Sequence, residues 1–151
     1  MKTLLPLTLF LMLTSSLHAL YLDGVKHVLQ SAQIQVEEIE GKTLASYIAN
    51  DDEFYLIDIR EPDQLQRGEI FWDELHKITR GYLEFKIEKA VPNKKALVVI
   101  YCCTGKRSIL AARSLKEMGY KNVKSLKGGI REWVEDGHIL DTAYGEMIVA
   151  P

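Results

Sequence analysis

Two stretches of this chain, Phe54-Tyr55-Leu56-Ile57-Asp58-Ile59 and Ala96-Leu97-Val98-Val99-Ile100-Tyr101, are nearly continuous in apolar side chains. That is the pattern of short strands covered on both faces of a sheet. Val123 to Leu126 predicts a third strand, Lys77 and Ile78 a brief fourth, and Ile34 and Gln35 a short edge strand. Between these the apolar positions take helical spacing. Tyr21 to Gln33 carries Val25, Val28 and Leu29 behind a capping Asp23, and Val36 to Asn50 carries Val36, Ile39, Leu44, Tyr47 and Ile48 with an interruption near Gly41. Pro62 suits the first turn of a short helix that Gly68 closes, because its missing N–H is unbonded there in any case. Tyr82 to Ala90 mixes both periods, and its Glu and Lys content favours helix. Ile109, Ala112, Leu115 and Met118 line one side of a helix starting at Ser108, with Ser108 as its cap and Gly119 as a left-handed terminator. A Lys127-Gly128-Gly129 turn then leads into a last helix, Ile130 to Glu135. Glu69 to Arg80, apart from its strand, and His138 to Pro151 show no clean period.

Strands alternating with helices predict an α/β domain with a mostly parallel sheet. In such sheets the functional loops lie beyond the C-terminal ends of the strands, where Asp58 to Glu61 and Cys102 to Arg107 both fall. A length of 151 residues accommodates one ordinary domain. The first residues have the form of a targeting segment: Lys2, an apolar run from Leu4 to Leu13, and a polar stretch ending at Ala19. The expected organisation is a signal peptide over 1–19, a helical extension over 20–33, the α/β domain over 34–137 and a tail over 138–151. Export, to a periplasm or beyond, is the expected location. The alternative is an uncleaved membrane anchor, since Leu4 to Leu22 approaches the ~20 residues that span a bilayer.

Composition sharpens this picture in two places. The net charge of −2, with 47% apolar and 26% charged residues, excludes a dedicated nucleic-acid binder and a disordered chain. Yet from Cys102 to Arg131 eight Lys or Arg face a single acid, Glu117, so the region around the loop attracts small anions. Second, the only cysteines, Cys102 and Cys103, are adjacent. Neighbouring Cα atoms lie ~3.8 Å apart, below the ~4.4 Å that ordinary disulfides need, so a bond between them would be strained and easily reduced. Reactivity explains this pair better than architecture does.

The loop Cys102-Cys103-Thr104-Gly105-Lys106-Arg107-Ser108 follows a strand and opens a helix. Converging backbone N–H groups, the helix N-terminus and the cations Lys106 and Arg107 favour the thiolate of Cys102, and the same donors can hold an anionic substrate beside the sulfur. Gly105 permits positive φ and close backbone approach. A phosphatase loop, Cys-x5-Arg, needs one residue more than the four that separate Cys102 from Arg107. A nucleotide P-loop needs a glycine where Ile100 stands.

The stretch Tyr101-Cys102-Cys103-Thr104-Gly105-Lys106-Arg107-Ser108 resembles the active-site loop of rhodanese-like sulfurtransferases. Ile57-Asp58-Ile59-Arg60-Glu61-Pro62, Met118-Gly119-Tyr120 with Val123, and Leu126, Gly128-Gly129-Ile130 and Trp133 are similar to three further motifs of that family, in its order, over about residues 34 to 136. The resemblance implies a rhodanese-like α/β fold, a mostly parallel sheet of about five short strands flanked by helices. It implies a thiosulfate sulfurtransferase: Cys102 takes the outer sulfur of a small anionic donor as a persulfide and yields it to a thiol or cyanide acceptor. Backbone N–H groups of Cys103, Thr104, Gly105, Lys106, Arg107 and Ser108 would stabilise that persulfide, Arg107 and Lys106 would bind the donor's sulfonate, and Asp58 and Arg60 would brace the loop by hydrogen bonds. The alternative is a persulfide carrier or protein-binding module that exchanges sulfur with a partner protein.

The segment Gly68-Glu69-Ile70-Phe71-Trp72-Asp73 departs from the family's Gly-His-Ile-Pro-Gly-Ala, and Ile78-Thr79-Arg80-Gly81 from its Ile-Pro-Arg-Gly. Glu69 either faces the donor or points to water, and Arg80 either binds an anion or is structural. Cys103 either resolves or protects the Cys102 persulfide, or simply fills a variable position. Trp72 and Trp133 read as core or lid residues. The histidines His18, His27, His76 and His138 are scattered, and neither a metal site nor a bound cofactor is expected.

Overall fold

A computed structural model describes residues 23–148. The signal-peptide reading of residues 1–19 lies outside the described residues. Five strands form one sheet: β1 (Glu37–Ile39), β2 (Tyr55–Asp58), β3 (Leu75–Lys77), β4 (Leu97–Tyr101) and β5 (Asn122–Leu126). Their order is β1-β5-β4-β2-β3, and every pairing is parallel. The helices are α1 (23–35), α2 (Gly41–Ala49), α3 (Pro62–Leu65), α4 (Leu83–Ala90, entered through a 3-10 turn at Arg80–Tyr82), α5 (Lys106–Glu117) and α6 (Gly129–Glu135).

The central position of β4 explains its unbroken apolar run. Val98 and Ile100 pack on one face with Ala32 of α1, Leu83 and Ile87 of α4, and Ile109, Ala112 and Leu115 of α5. Val99 and Tyr101 pack on the other with Leu44 of α2 and Ile130 and Trp133 of α6. The two-residue period continues past the end of the strand, so Cys102 falls in the row of Val98 and Ile100, on the α5 face.

The structure corrects three expectations. Ile34 and Gln35 belong to α1, and the edge strand is Glu37–Ile39, inside the segment expected to be helical. Its Glu37 is exposed and Glu38 half-buried, so only Ile39 betrays a buried face; pairing with β5 and the Lys124 Nζ–Glu37 contact at 2.7 Å hold it. Gly41 does not interrupt a helix but begins one, buried against His138. Second, α5 starts at Lys106, capped by Gly105 at φ 81°, so Ser108 lies within its first turn and caps nothing.

Third, the region after His138 contains an antiparallel hairpin, β6 (Ile139–Thr142) and β7 (Gly145–Ile148), joined to the body by reciprocal backbone bonds between Glu69 and Asp141 of 2.8 and 2.9 Å. Trp72 anchors the preceding irregular segment: it stacks on Phe54 with ring centroids 4.5 Å apart, and its Nε1 donates to the Phe54 carbonyl at 2.9 Å. Among the described residues no helix is long and apolar enough to cross a membrane.

Candidate active site

The apolar run of β4 ends at Tyr101, and Gly105 turns the chain at positive φ into α5, whose N-terminus therefore closes over the residue that follows the strand. Cys102 is 1% exposed and Cys103 half-buried, and both are free thiols. The loop is clamped from outside by α6: the N–H of Ile130 donates to the Cys102 carbonyl at 2.9 Å and that of Arg131 to the Cys103 carbonyl at 3.1 Å. Only glycine fits the preceding position, because a Cβ on Gly129 would stand 2.3 Å from the Cys102 oxygen. Among the described residues no protein acceptor is bonded to the backbone N–H groups of residues 103–108. A buried thiol is thus followed by six consecutive open donors, ending in the first turn of a twelve-residue helix.

The Cys102 thiol lies 3.7 Å from the Ser108 Oγ. Ser108 donates to the Gly105 carbonyl at 2.9 Å and accepts from the Ser125 hydroxyl at 2.9 Å, all within the protein interior. Ser125 escaped the sequence reading. Its signal is a polar residue two positions after Val123 in a short strand, on the face that turns inward to the same core as Cys102.

Arg107 is turned toward α3. Its Nη2 donates to Gln64 Oε1 at 2.7 Å and lies 3.5 Å from the Cys103 sulfur, while Nη1 is 3.6 Å from Glu61. Both partners of that ion pair are at least a third exposed, so solvent screens it and Arg107 can exchange it for an anion. Lys106 is exposed and Thr104 half-buried on the loop's outer side.

The resemblance implies that Asp58 and Arg60 brace the 102–108 loop by hydrogen bonds, but their side chains make no direct bond to it. Arg60 makes a fork onto Asp58, with Nη2–Oδ2 at 2.7 Å, and extends to the carbonyls of Gly68 at 2.8 Å and Gln64 at 3.2 Å. The pair holds the segment 64–68, and Gln64 passes the support to Arg107 through its side chain. Burial opposes the Arg60 charge, but the hydrogen bonds and negative charge of Asp58 outweigh it and hold the guanidinium above its usual value. Burial, reinforced by the charge of Asp58, pushes the Tyr101 phenol well above its ordinary range, so it stays protonated beside the Ile70 N–H. Asp58→Ala would strand the buried Arg60 cation; we expect a loss of about 3 kcal/mol in urea unfolding.

Glu69 is paired with Lys77, and Arg80 bonds Glu84 at 2.8 Å and Ser114 at 3.3 Å. Trp133 packs in the core, its Nε1 donating to the Ile139 carbonyl. Among the described residues no His, Cys, Asp and Glu cluster could hold a metal ion.

The chain is similar to known proteins over this same body. A sulfurtransferase from Allochromatium vinosum is 31% identical over 102 residues, 68% of this chain and 92% of that protein. Among solved structures, the polysulfide-sulfur transferase homodimer of Wolinella succinogenes is 28% identical, with a TM-score of 0.66 over 80% of this chain and 86% of that one. A Rhodopseudomonas palustris protein of unknown function, named as a possible tyrosine phosphatase, is 29% identical, with a TM-score of 0.68 over 77% of this chain and 92% of that one. The five-stranded parallel sheet, the thiol at the end of its central strand and a match of residues 41–136 to the family model described as rhodanese-like domain agree, and the chain belongs to that family.

Proposed function

We propose that this rhodanese-like sulfurtransferase moves a sulfane sulfur from thiosulfate or a related donor to a thiol or cyanide acceptor through a persulfide on Cys102. The observation that carries the reading is the buried Cys102 thiol followed by open N–H donors at residues 103–108. The Cys102 thiolate attacks the outer sulfur of the donor; the donor's S–S bond breaks and its electron pair leaves with sulfite. An acceptor thiolate then attacks the outer sulfur of the persulfide and returns Cys102 as a thiolate, giving ping-pong kinetics. The open donors suit the persulfide anion. Arg107 supports donor binding, since its present partners are a neutral amide and a loose ion pair. Arg107→Ala is expected to raise the KM for thiosulfate roughly tenfold with a smaller change in kcat, read from steady-state kinetics.

Mass spectrometry of the purified protein before and after thiosulfate tests the central step. We expect a gain of one sulfur on the peptide containing Cys102, removed by cyanide. If thiosulfate leaves the protein unmodified while a protein persulfide loads it, the chain is a carrier working with a partner. We also propose export, which rests on the sequence of residues 1–19; an intact mass beginning near Leu20 supports it, and a retained Met1 in a membrane fraction points to the anchored form.

A further inference from the structure

The hydroxyl chain behind Cys102 has a hydrogen count that fixes how it must respond when the sulfur changes charge. A serine hydroxyl offers one proton and two lone pairs. The Ser108 proton goes to the Gly105 carbonyl, and its oxygen accepts from Ser125 at 2.9 Å and faces the Cys102 S–H at 3.7 Å. With the thiol protonated, Ser108 is saturated. When Cys102 becomes a thiolate, its S–H is gone, and the contact between Ser108 and the sulfur persists as a hydrogen bond only if the Ser108 proton turns to it. The Gly105 carbonyl can release it, because it also accepts the Ile109 N–H at 3.1 Å and is not left bare. Ser125, fully buried on β5, keeps an oxygen lone pair of Ser108 occupied throughout and polarises the hydroxyl toward donation.

We propose that Ser125 is a positioning residue, acting through Ser108, that aims the Ser108 proton at the Cys102 sulfur as negative charge returns to it. The proposal rests on the persulfide reading. In the second half-reaction the bond between the Cys102 Sγ and the outer sulfur breaks; the outer sulfur goes to the acceptor with any proton it carries, and the electron pair stays on Sγ. The Ser108 contact strengthens as that pair arrives, so it acts on the transition state rather than on acceptor binding.

The test compares Ser125→Val with Ser125→Thr, two side chains of matched shape of which one carries the hydroxyl, together with Ser125→Ala. Persulfide formed beforehand on Cys102 is mixed with cyanide in a single turnover. Val and Ala are expected to slow sulfur release roughly fivefold, the loss of one net hydrogen bond, with KM for the acceptor unchanged and with Thr restoring most of the rate. Equal rates in Val and Thr, or native rates in all three, would overturn the proposal. Should Val fail to fold on thermal unfolding, Ala against Thr makes the same comparison. Alkylation of Cys102 by iodoacetamide in the same variants needs no sulfur donor: if neither thiosulfate nor a protein persulfide loads Cys102, the persulfide reading fails by itself, while faster alkylation in Thr than in Val still upholds Ser125 and equal rates still refute it.

Discussion

Cys102→Ser is expected to abolish sulfur uptake and to lower turnover by at least about three orders of magnitude, since a hydroxyl is a far weaker nucleophile than a thiolate and no general base is in hydrogen-bond reach. The group in contact with the sulfur is the Ser108 hydroxyl, and the loop that follows offers open N–H donors; both suit an anion, and neither is a base for a serine proton. The substitution is otherwise mild. The new hydroxyl faces Ser108 in a space already lined by polar groups, so unfolding free energy should change by no more than about 1 kcal/mol. The loss is therefore chemical, and the thermal midpoint measured beside the activity separates it from misfolding. Cys103→Ser provides the contrast. Its sulfur lies against Arg107, not against the Ser108 chain, and its loss should reduce turnover by less than about tenfold. If Cys103→Ser were the more damaged variant, the nucleophile would be the neighbouring thiol and the role given to Ser108 and Ser125 would fall with it.

What the sequence disclosed follows from how each residue is buried. β2 and β4 were legible because both of their faces are covered, which forces apolar residues at successive positions. The Cys102 loop was legible because its chemistry needs unusual residues close together. β1 was not, since an edge strand of three residues with glutamates at two of them carries almost no period-2 signal beside a strong helical pattern. The β6–β7 hairpin escaped for a similar reason: of its residues only Leu140 is buried, and the backbone bridge to Glu69 and the Trp133 bond to the Ile139 carbonyl both fasten its main chain, which no side-chain period encodes. A serine before a helical pattern reads as a cap, yet Gly105 at positive φ starts the helix at Lys106, two residues before Ser108. That shift places the Ser108 hydroxyl inside the first turn, beside Cys102 and in reach of Ser125 from another strand. Contacts between residues 17 positions apart are a property of the fold, and the serine in β5 acquires meaning only once α5 is laid across it.

Gly129→Ala is the second change expected to have a large effect, and it reaches the site through the backbone. Gly129 sits at φ 63°, and its Cβ would lie 2.3 Å from the Cys102 oxygen and 2.8 Å from both the Cys103 carbonyl carbon and the Thr104 nitrogen. These are main-chain atoms of the Cys102 loop, and no rotamer change relieves them. The left-handed conformation adds its own strain of about 1 kcal/mol for a residue with a Cβ. With overpacking of about 3 kcal/mol, the total destabilisation is about 4 kcal/mol, a fall of roughly 10 °C in thermal midpoint for a domain of this size. Gly137→Ala separates the two causes. Gly137 is at φ 79° with nothing within 4 Å of its Cβ, so it suffers the strain without the clash and should cost only about 1 kcal/mol. Activity should divide the variants more sharply than stability does. The α6 N–H groups that hold the Cys102 and Cys103 carbonyls start at Ile130, immediately after the clash. The loop can accept a methyl at position 129 only by moving away from those donors, and a displacement near 1 Å is enough to lower turnover about a hundredfold. Gly137→Ala leaves that clamp untouched and should retain turnover. Equal activity in the two variants would mean that the clamp from α6 does not set the geometry of the thiol.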